Sequence, residues 1–167
     1  MRAFIGIKLE DKYKKKLENI RSFLIQSKVM GNFTNINNIH LTLCFIGEIK
    51  EENVSAIKEM ISQIDISELN IEVSSIKVFK SYLILKVDKN DRLLGIQKKI
   101  SDELIKQGFN IDRKEFFPHI TIVREVKNVN EKDLDSLNKN IKMMSKVSKI
   151  ELFESKRVNG QLIYISL

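Results

Sequence analysis

Residues 39–60, IHLTLCFIGEIKEENVSAIKEM, and residues 118–137, PHITIVREVKNVNEKDLDSL, are built to one plan. Each opens with a histidine in an apolar run rich in β-branched residues. Each then passes through a short charged turn into a segment with apolar residues at helical spacing. In the first unit, Val54, Ile57, Ile61 and Ile64 share one face of a helix expected over 51–64. In the second, a helix is expected over 131–144. Two such units in one chain predict two pseudo-equivalent lobes, each contributing one histidine-bearing strand.

The rest of the chain reads outward from these two units. RAFIGIK (2–8) is strand-like, and Asp11 to Ser27 carries Tyr13, Leu17, Ile20, Phe23 and Leu24 at helical spacing. Residues 28–38, rich in Asn and Gly, read as a polar loop. The strand of the first unit runs from Ile39 to Ile46, with Gly47 ending it. Strands are expected over 71–79 and 82–87, joined tightly at Lys80–Ser81. A helix over 91–107 turns Leu93, Leu94, Ile96, Ile100 and Leu104 inward, with Gly108 as its stop. Residues 108–117 connect to a strand over 119–126, and strands over 147–153 and 161–167 close the chain across Asn159–Gly160. The expected fold class is α+β, a single domain over 1–167. Its two lobes are pseudo-symmetric, antiparallel-rich sheets with outer helices and an active-site groove between them.

Composition excludes several function classes. At 167 residues, 43% hydrophobic and 31% charged, the chain is long enough to bury a core without staples. No apolar run is long enough to span a bilayer, and the N-terminus lacks the pattern of a signal peptide, so no membrane partner and a cytoplasmic location are expected. The one cysteine, Cys44, precludes an intrachain disulfide and a multi-cysteine zinc site. The net charge of +7 favours an anionic partner such as RNA or a nucleotide. Ile, Lys and Asn together exceed a third of the chain, so AT-rich codon usage also inflates the lysine count. The run Lys14–Lys16 spreads around its helix and reads as a solvated face.

The chemistry lies in the histidines. The chain has two histidines and three threonines, and each histidine has a threonine two residues on: His40-Leu41-Thr42 and His119-Ile120-Thr121. On a strand, residues i and i+2 share a face. His40 and Thr42 therefore project together while Leu41 and Leu43 enter a core, and His119 and Thr121 do the same. If the two strands lie side by side, one groove holds two imidazoles and two hydroxyls. One imidazole can accept a proton while the other donates one, and the hydroxyls can bind non-bridging phosphate oxygens. That set fits in-line displacement at phosphorus without a metal or cofactor. Cys44 shares the His40 face by parity, which leaves a mixed Cys–His site open. Phe45 and Arg124 stand five residues after their histidines, off the histidine face of a regular strand unless a bulge returns them. Arg124 is then a phosphate clamp or a partner of Glu125, and Phe45 a base-stacking platform or core.

At these residues the chain resembles the two-histidine phosphoesterase superfamily, whose mark is a pair of H-x-T/S strands in a bilobal fold. It resembles most the RNA 2′,3′-cyclic phosphodiesterases, also called 2′-5′ RNA ligases. MRAFIGI (1–7), NIHLTLCFIGEI (38–49), GFNIDRKEFFPHITIVRE (108–125) and IELFESKRVNGQLIYISL (150–167) carry the likeness. The resemblance implies hydrolysis of a 2′,3′-cyclic phosphate on an RNA end or cyclic nucleotide to a 2′-phosphomonoester. It implies His40 as proton donor, His119 as proton acceptor, and Thr42 and Thr121 as phosphate-binding. FTNINN (33–38) lacks the proline and tryptophan often found there, and Cys44 replaces a frequent basic residue. Competing readings are a non-catalytic RNA-binding protein, a phosphodiesterase for another small or 2′,5′-linked nucleotide, and reverse 2′-5′ ligation as a side activity. No feature demands an oligomer, and a monomer is expected.

Overall fold

A computed structural model describes residues 1–167. Nine strands and four helices alternate: β1 (Arg2–Ile7), α1 (Lys14–Gln26), β2 (Met30–Phe33), β3 (Leu41–Glu48), α2 (Glu51–Ser62), β4 (Asn70–Phe79), β5 (Tyr82–Val87), α3 (Asp91–Lys106), β6 (His119–Lys127), α4 (Glu131–Asn138), β7 (Met143–Lys146), β8 (Glu151–Val158) and β9 (Gln161–Ser166). They form two sheets, in the orders β3-β1-β8-β9 and β2-β6-β5-β4-β7. Every paired neighbour is antiparallel. The expected α+β class with two antiparallel sheets is therefore what the chain adopts. The motif strands sit in different sheets: β3 at an edge of the first, and β6 inside the second with β2 and β5 on its flanks. They are not hydrogen-bonded neighbours.

One contiguous cluster of 37 buried residues supplies most of the core. It draws Ile5, Leu41 and Leu152 from the first sheet, Ile71, Leu83, Leu85 and Ile120 from the second, and Leu24, Ile57 and Ile100 from helices. The helices present their apolar stripes to this cluster, as their spacing predicts. In α3, Leu93, Ile96, Ile100 and Leu104 are buried, whereas Leu94 is only half-buried. Asn90 caps that helix by accepting a hydrogen bond from Leu93 N, and Gly108 follows its end at φ +92°. Asn159 and Gly160, at φ 51° and 77°, make the tight turn between β8 and β9.

Several element boundaries depart from the expectations. Residues 28–38 are not all loop: Met30–Phe33 pairs with β6, Asn32 against Arg124 and Phe33 against Val123. This edge strand is exposed along most of its length, so no apolar alternation marks it; backbone hydrogen bonds define it. The helix expected over 131–144 stops at Asn138, whose amide side chain both accepts from Ile76 N and donates to Ile76 O. Residues 143–146 then alternate buried and exposed as β7. The strand expected over 147–153 begins at Glu151 and runs on to Val158. The 11–27 helix opens with a 3-10 turn at Asp11–Tyr13. Gly47 does not end its strand, because at φ +89° it carries β3 through to Glu48 opposite Ala3 and Arg2.

Gly31 is required by close approach. Its φ is +141°, and an added Cβ would stand 2.7 Å from both Arg124 O and Val123 Cγ1. Gly31→Ala should therefore push β2 off β6 and cost about 1–3 kcal/mol of stability. Urea unfolding measures this, and an unchanged midpoint would mean that the β2–β6 contact is not made.

Candidate functional site

The two motif strands share an irregularity. In β3, Thr42 pairs with Gly6 and Cys44 with Ile5, leaving Leu43 as an extra residue. In β6, Thr121 pairs with Ile84 and Val123 with Leu83, leaving Ile122 as an extra residue. Each bulge falls three residues after its histidine. An extra residue reverses the alternation beyond it, so positions 0, +2 and +5 come to one face. Phe45 accordingly joins His40: it is 66% exposed and lies 5.9 Å, ring to ring, from Phe4, which itself packs 4.7 Å from the His40 ring. Arg124 likewise faces the groove and donates to Tyr164 Oη at 3.0 Å. It makes no ion pair with Glu125, whose carboxylate accepts instead from Asn32.

The same shift corrects the reading of Cys44. It does not share the His40 face. It is 5% exposed, with its sulfur 3.9 Å from Ser101 Oγ on α3. Burial raises the thiol's pKa. The structure thus separates Cys44 from the imidazoles, against a mixed Cys–His site.

Both histidines are held by one device. His40 Nδ1 lies 2.6 Å from the carbonyl of Asn38, and His119 Nδ1 lies 2.7 Å from the carbonyl of Phe117, in each case two residues back. A carbonyl only accepts, so Nδ1 is the donor and carries the proton. Nε2 of each ring is left for chemistry. His40 Nε2 stands 2.8 Å from Thr42 Oγ1 and accepts its hydroxyl proton when the ring is neutral. Asn38 is itself pinned: its side chain donates to Leu162 O at 2.7 Å and accepts from Tyr164 N at 3.3 Å. The His40 ring rests on the buried aromatics Phe4 and Phe153, with Tyr164 edge-on at 5.0 Å. The His119 ring stacks on Phe117 at 5.3 Å, and Phe117 packs on Phe79.

This setting alters His40. Removal from water disfavours the imidazolium most; the Asn38 carbonyl opposes this, and Arg124, Lys8 and His119 add cationic repulsion, for a pKa of about 4. In the free protein at neutral pH His40 is therefore uncharged. Lys8, whose ammonium lies 5.4 Å from the Phe153 ring centroid, was not foreseen at the site, nor were Phe4 and Asn38. Tyr164 falls within IELFESKRVNGQLIYISL (150–167), one of the stretches that carry the family likeness. Phe4 sits in the apolar run AFIGI (3–7) and Asn38 ends the Asn-rich stretch NINN (35–38), so neither stands out from its surroundings.

A groove of about 440 Å³ is lined by Phe4, Phe45, Arg124 and Tyr164 among others; neither histidine is among its lining residues, but Phe4 and Tyr164 also contact the His40 ring. Another depression, of about 420 Å³ near α2 and the C-terminus, is lined by Ile61, Ile150 and Leu167 and holds no histidine. No group of three or more His, Cys, Asp or Glu side chains converges as a metal-binding cluster. No helix is long and apolar enough to cross a membrane.

The chain is similar to known proteins over most of its length. The family model described as LigT-like phosphoesterase matches residues 7–83 and 85–164. The Thermotoga maritima protein named RNA 2′,3′-cyclic phosphodiesterase is 31% identical over 131 residues, 74% of this chain and 70% of that one. The Aquifex aeolicus protein of the same name is 25% identical over 177 aligned positions, covering 98% and 93% of the two chains. Crystal structures of E. coli LigT superpose with a TM-score of 0.78, in the apo form at 19% identity and complexed with 3′-AMP at 20%; each covers 99% of this chain and 94% of that one. At these identities the superposition speaks for the fold.

The low pKa of His40 has a consequence for stability. A histidine at about 4 in the folded state and 6.5 in the reference state contributes stability that is fully present above pH 6.5. That contribution is lost as pH falls to 4, on the order of 3 kcal/mol in all. The urea midpoint of the wild type should fall more steeply over this range than that of His40→Asn. Parallel declines would show that His40 is not held neutral.

Proposed function

The chain belongs to the LigT-like phosphoesterase family, and from that membership we propose that it hydrolyses a 2′,3′-cyclic phosphate at an RNA or nucleotide end to a 2′-phosphomonoester. The observation that carries the reading is the matched pair of histidines. Each is on an H-x-T strand, each is tethered through Nδ1 to the carbonyl two residues back, and each keeps Nε2 for proton transfer. The names of the Thermotoga and Aquifex relatives, and the 3′-AMP complex of E. coli LigT, support a nucleotide or RNA-end substrate.

In this reaction water attacks phosphorus in line with the P–O3′ bond. His119 Nε2 accepts the proton of the attacking water, and His40 Nε2 gives a proton to O3′ as that bond breaks. Both rings then reset through solvent. The hydroxyls of Thr42 and Thr121 bind the non-bridging oxygens. Thr42 first surrenders its hydrogen bond to His40 Nε2, which frees both groups for the phosphate. Arg124 has four N–H donors left after its bond to Tyr164 and neutralises charge that builds on phosphorus. Phe45 offers an exposed ring for a base to stack on. Substituting a 5′-hydroxyl for water gives a 2′,5′ linkage, which is how the ligation side activity arises.

The donor role of His40 requires a charged ring, and the free site holds it neutral. The substrate resolves this, because an anionic phosphate within about 4–6 Å raises a histidine pKa by roughly 1–3. The cations that depress His40 are also those that attract the phosphate. One observation favours the opposite assignment, His40 as acceptor and His119 as donor: a pKa of about 4 keeps His40 neutral and able to accept a proton.

Two measurements test the proposal. Phosphorus NMR of 2′,3′-cyclic AMP and a cyclic-phosphate-ended RNA, in excess EDTA, should show 2′-phosphomonoester forming. The rate should fall about 10²–10⁴-fold in His40→Ala or His119→Ala with folding retained. Wild-type rates in either variant would sink the mechanism, and salt-sensitive RNA binding without product would assign the site to binding alone. Proton NMR titration of His40 should show its pKa rising when 2′-AMP is added; a value that stays near 4 reverses the donor and acceptor roles.

A further inference from the structure

The groove beside His40 continues past Arg124 and Tyr164. Those two residues, with Arg157 and Leu162, also wall a second trough of about 620 Å³ between the exposed edges of β9 and β2. The two form one path along the molecule. Its basic residues are Arg2, Arg21, Arg124 and Arg157, and neither a lysine nor a carboxylate lines either part. Arginine is rare here. The chain has six arginines among 29 cationic side chains, so four cations drawn at random would all be arginine less than about once in a thousand cases, the background that general cation usage sets. By contrast, the depression around Lys8, Glu10, Lys12, Lys146 and Glu151 mixes both signs of charge.

The arginines are also held without being neutralised. None of the four lies within ion-pair distance of a carboxylate, whereas Arg92, elsewhere on the surface, pairs with Asp65. Three of them have neutral partners. Arg21 lies 5.8 Å from the Phe33 ring centroid, Arg124 donates to the Tyr164 phenol, and Arg157 donates to Gly160 O at 3.2 Å. Such contacts orient a guanidinium and leave its charge for a ligand. The aromatic rings of Phe45, Tyr164 and Phe33 line the same path. Planar cations together with π-faces suit a strand of phosphates and unstacked bases.

We propose that Arg21, Arg157 and Arg2 form a phosphate-tracking subsite for the RNA chain on the 5′ side of the reacting end. This rests on the cyclic-phosphate reading: a 2′,3′-cyclic phosphate is a 3′ terminus, so any further nucleotides extend only in the 5′ direction. The natural substrate is then an oligonucleotide, and a cyclic mononucleotide engages only part of the site.

The test compares a cyclic-phosphate-ended RNA hexamer with 2′,3′-cyclic AMP, in the wild type and in Arg21→Gln, Arg157→Gln and the double variant. The ratio of kcat/KM for the hexamer to that for the mononucleotide should fall about tenfold or more per arginine. The salt dependence of log KM for the hexamer should weaken by about 0.7 per arginine removed. Arg157→Lys should restore part of the salt dependence, which a merely structural role would not predict. Equal losses on both substrates, or none on either, overturn the inference and leave the hydrolysis reading standing. A second arm needs no turnover: anisotropy of a 5′-fluorescein RNA hexamer bearing a 3′-phosphate. Arginine-dependent binding by a wild type that hydrolyses neither substrate would uphold the subsite and reject the cyclic-phosphate reading. Displacement of the hexamer by ATP at equal phosphate concentration would assign the trough to free polyphosphates and overturn the subsite.

Discussion

Two extra residues, Leu43 and Ile122, govern the architecture of this site. A strand alternates its side chains strictly, so a regular strand carrying His40 and Thr42 on one face would send Phe45 to the other. The bulge three residues after each histidine reverses that order. It turns Phe45 and Arg124 into the groove and turns Cys44 into the core in one stroke. Gly6 accommodates the result: it sits opposite Thr42, and a Cβ there would lie 2.9 Å from Leu41 O and 3.4 Å from the His40 ring. The motif is therefore longer than its histidine and threonine. It is a histidine, a threonine at +2, and a third group at +5 that only a bulged strand can deliver.

The groove these strands line is aromatic and cationic. Phe4 and Phe153 form a buried floor under His40, and Lys8 and Arg124 place positive charge beside it. Such a site is electrostatically incomplete without an anion. A neutral His40 that shares a hydrogen bond with Thr42 is its resting arrangement. A phosphate supplies the missing charge, and binding and protonation are thereby linked. The same logic extends along the arginine path, where guanidinium groups are oriented by a ring, a phenol and a carbonyl while none is neutralised.

The two halves are alike in motif and unlike in setting. His40 and His119 share the Nδ1–carbonyl tether, the threonine at +2 and the bulge at +3. Yet β3 is an edge strand, whereas β6 is enclosed by β2 and β5. The asymmetry comes from β2. Met30–Phe33 precedes the first motif in the chain but crosses to pair with the second, and Thr34 N continues that pairing to Ile122 O. Asn38 ties the same connection back to β9. The short segment between α1 and β3 thus joins the two sheets around the groove.

Much of this was legible in the order of residues alone. The paired H-x-T strands, the helical stripes of α1 to α3, the Asn159–Gly160 turn and the α+β class all follow from periodicity and turn chemistry. These are local properties, set by residues within a few positions of one another. Where the signal is not local, it failed to appear. β2 has no alternation because it is recruited by the backbone of β6, and the end of α4 depends on Ile76, which lies 62 positions before Asn138. The face of Cys44, Phe45 and Arg124 turned on register against β1 and β5, which no single strand encodes. Residue order determined which groups are chemically able to act. Tertiary pairing decided which of them meet, because a bulge is a relation between two strands and a pKa is a property of everything packed around a ring.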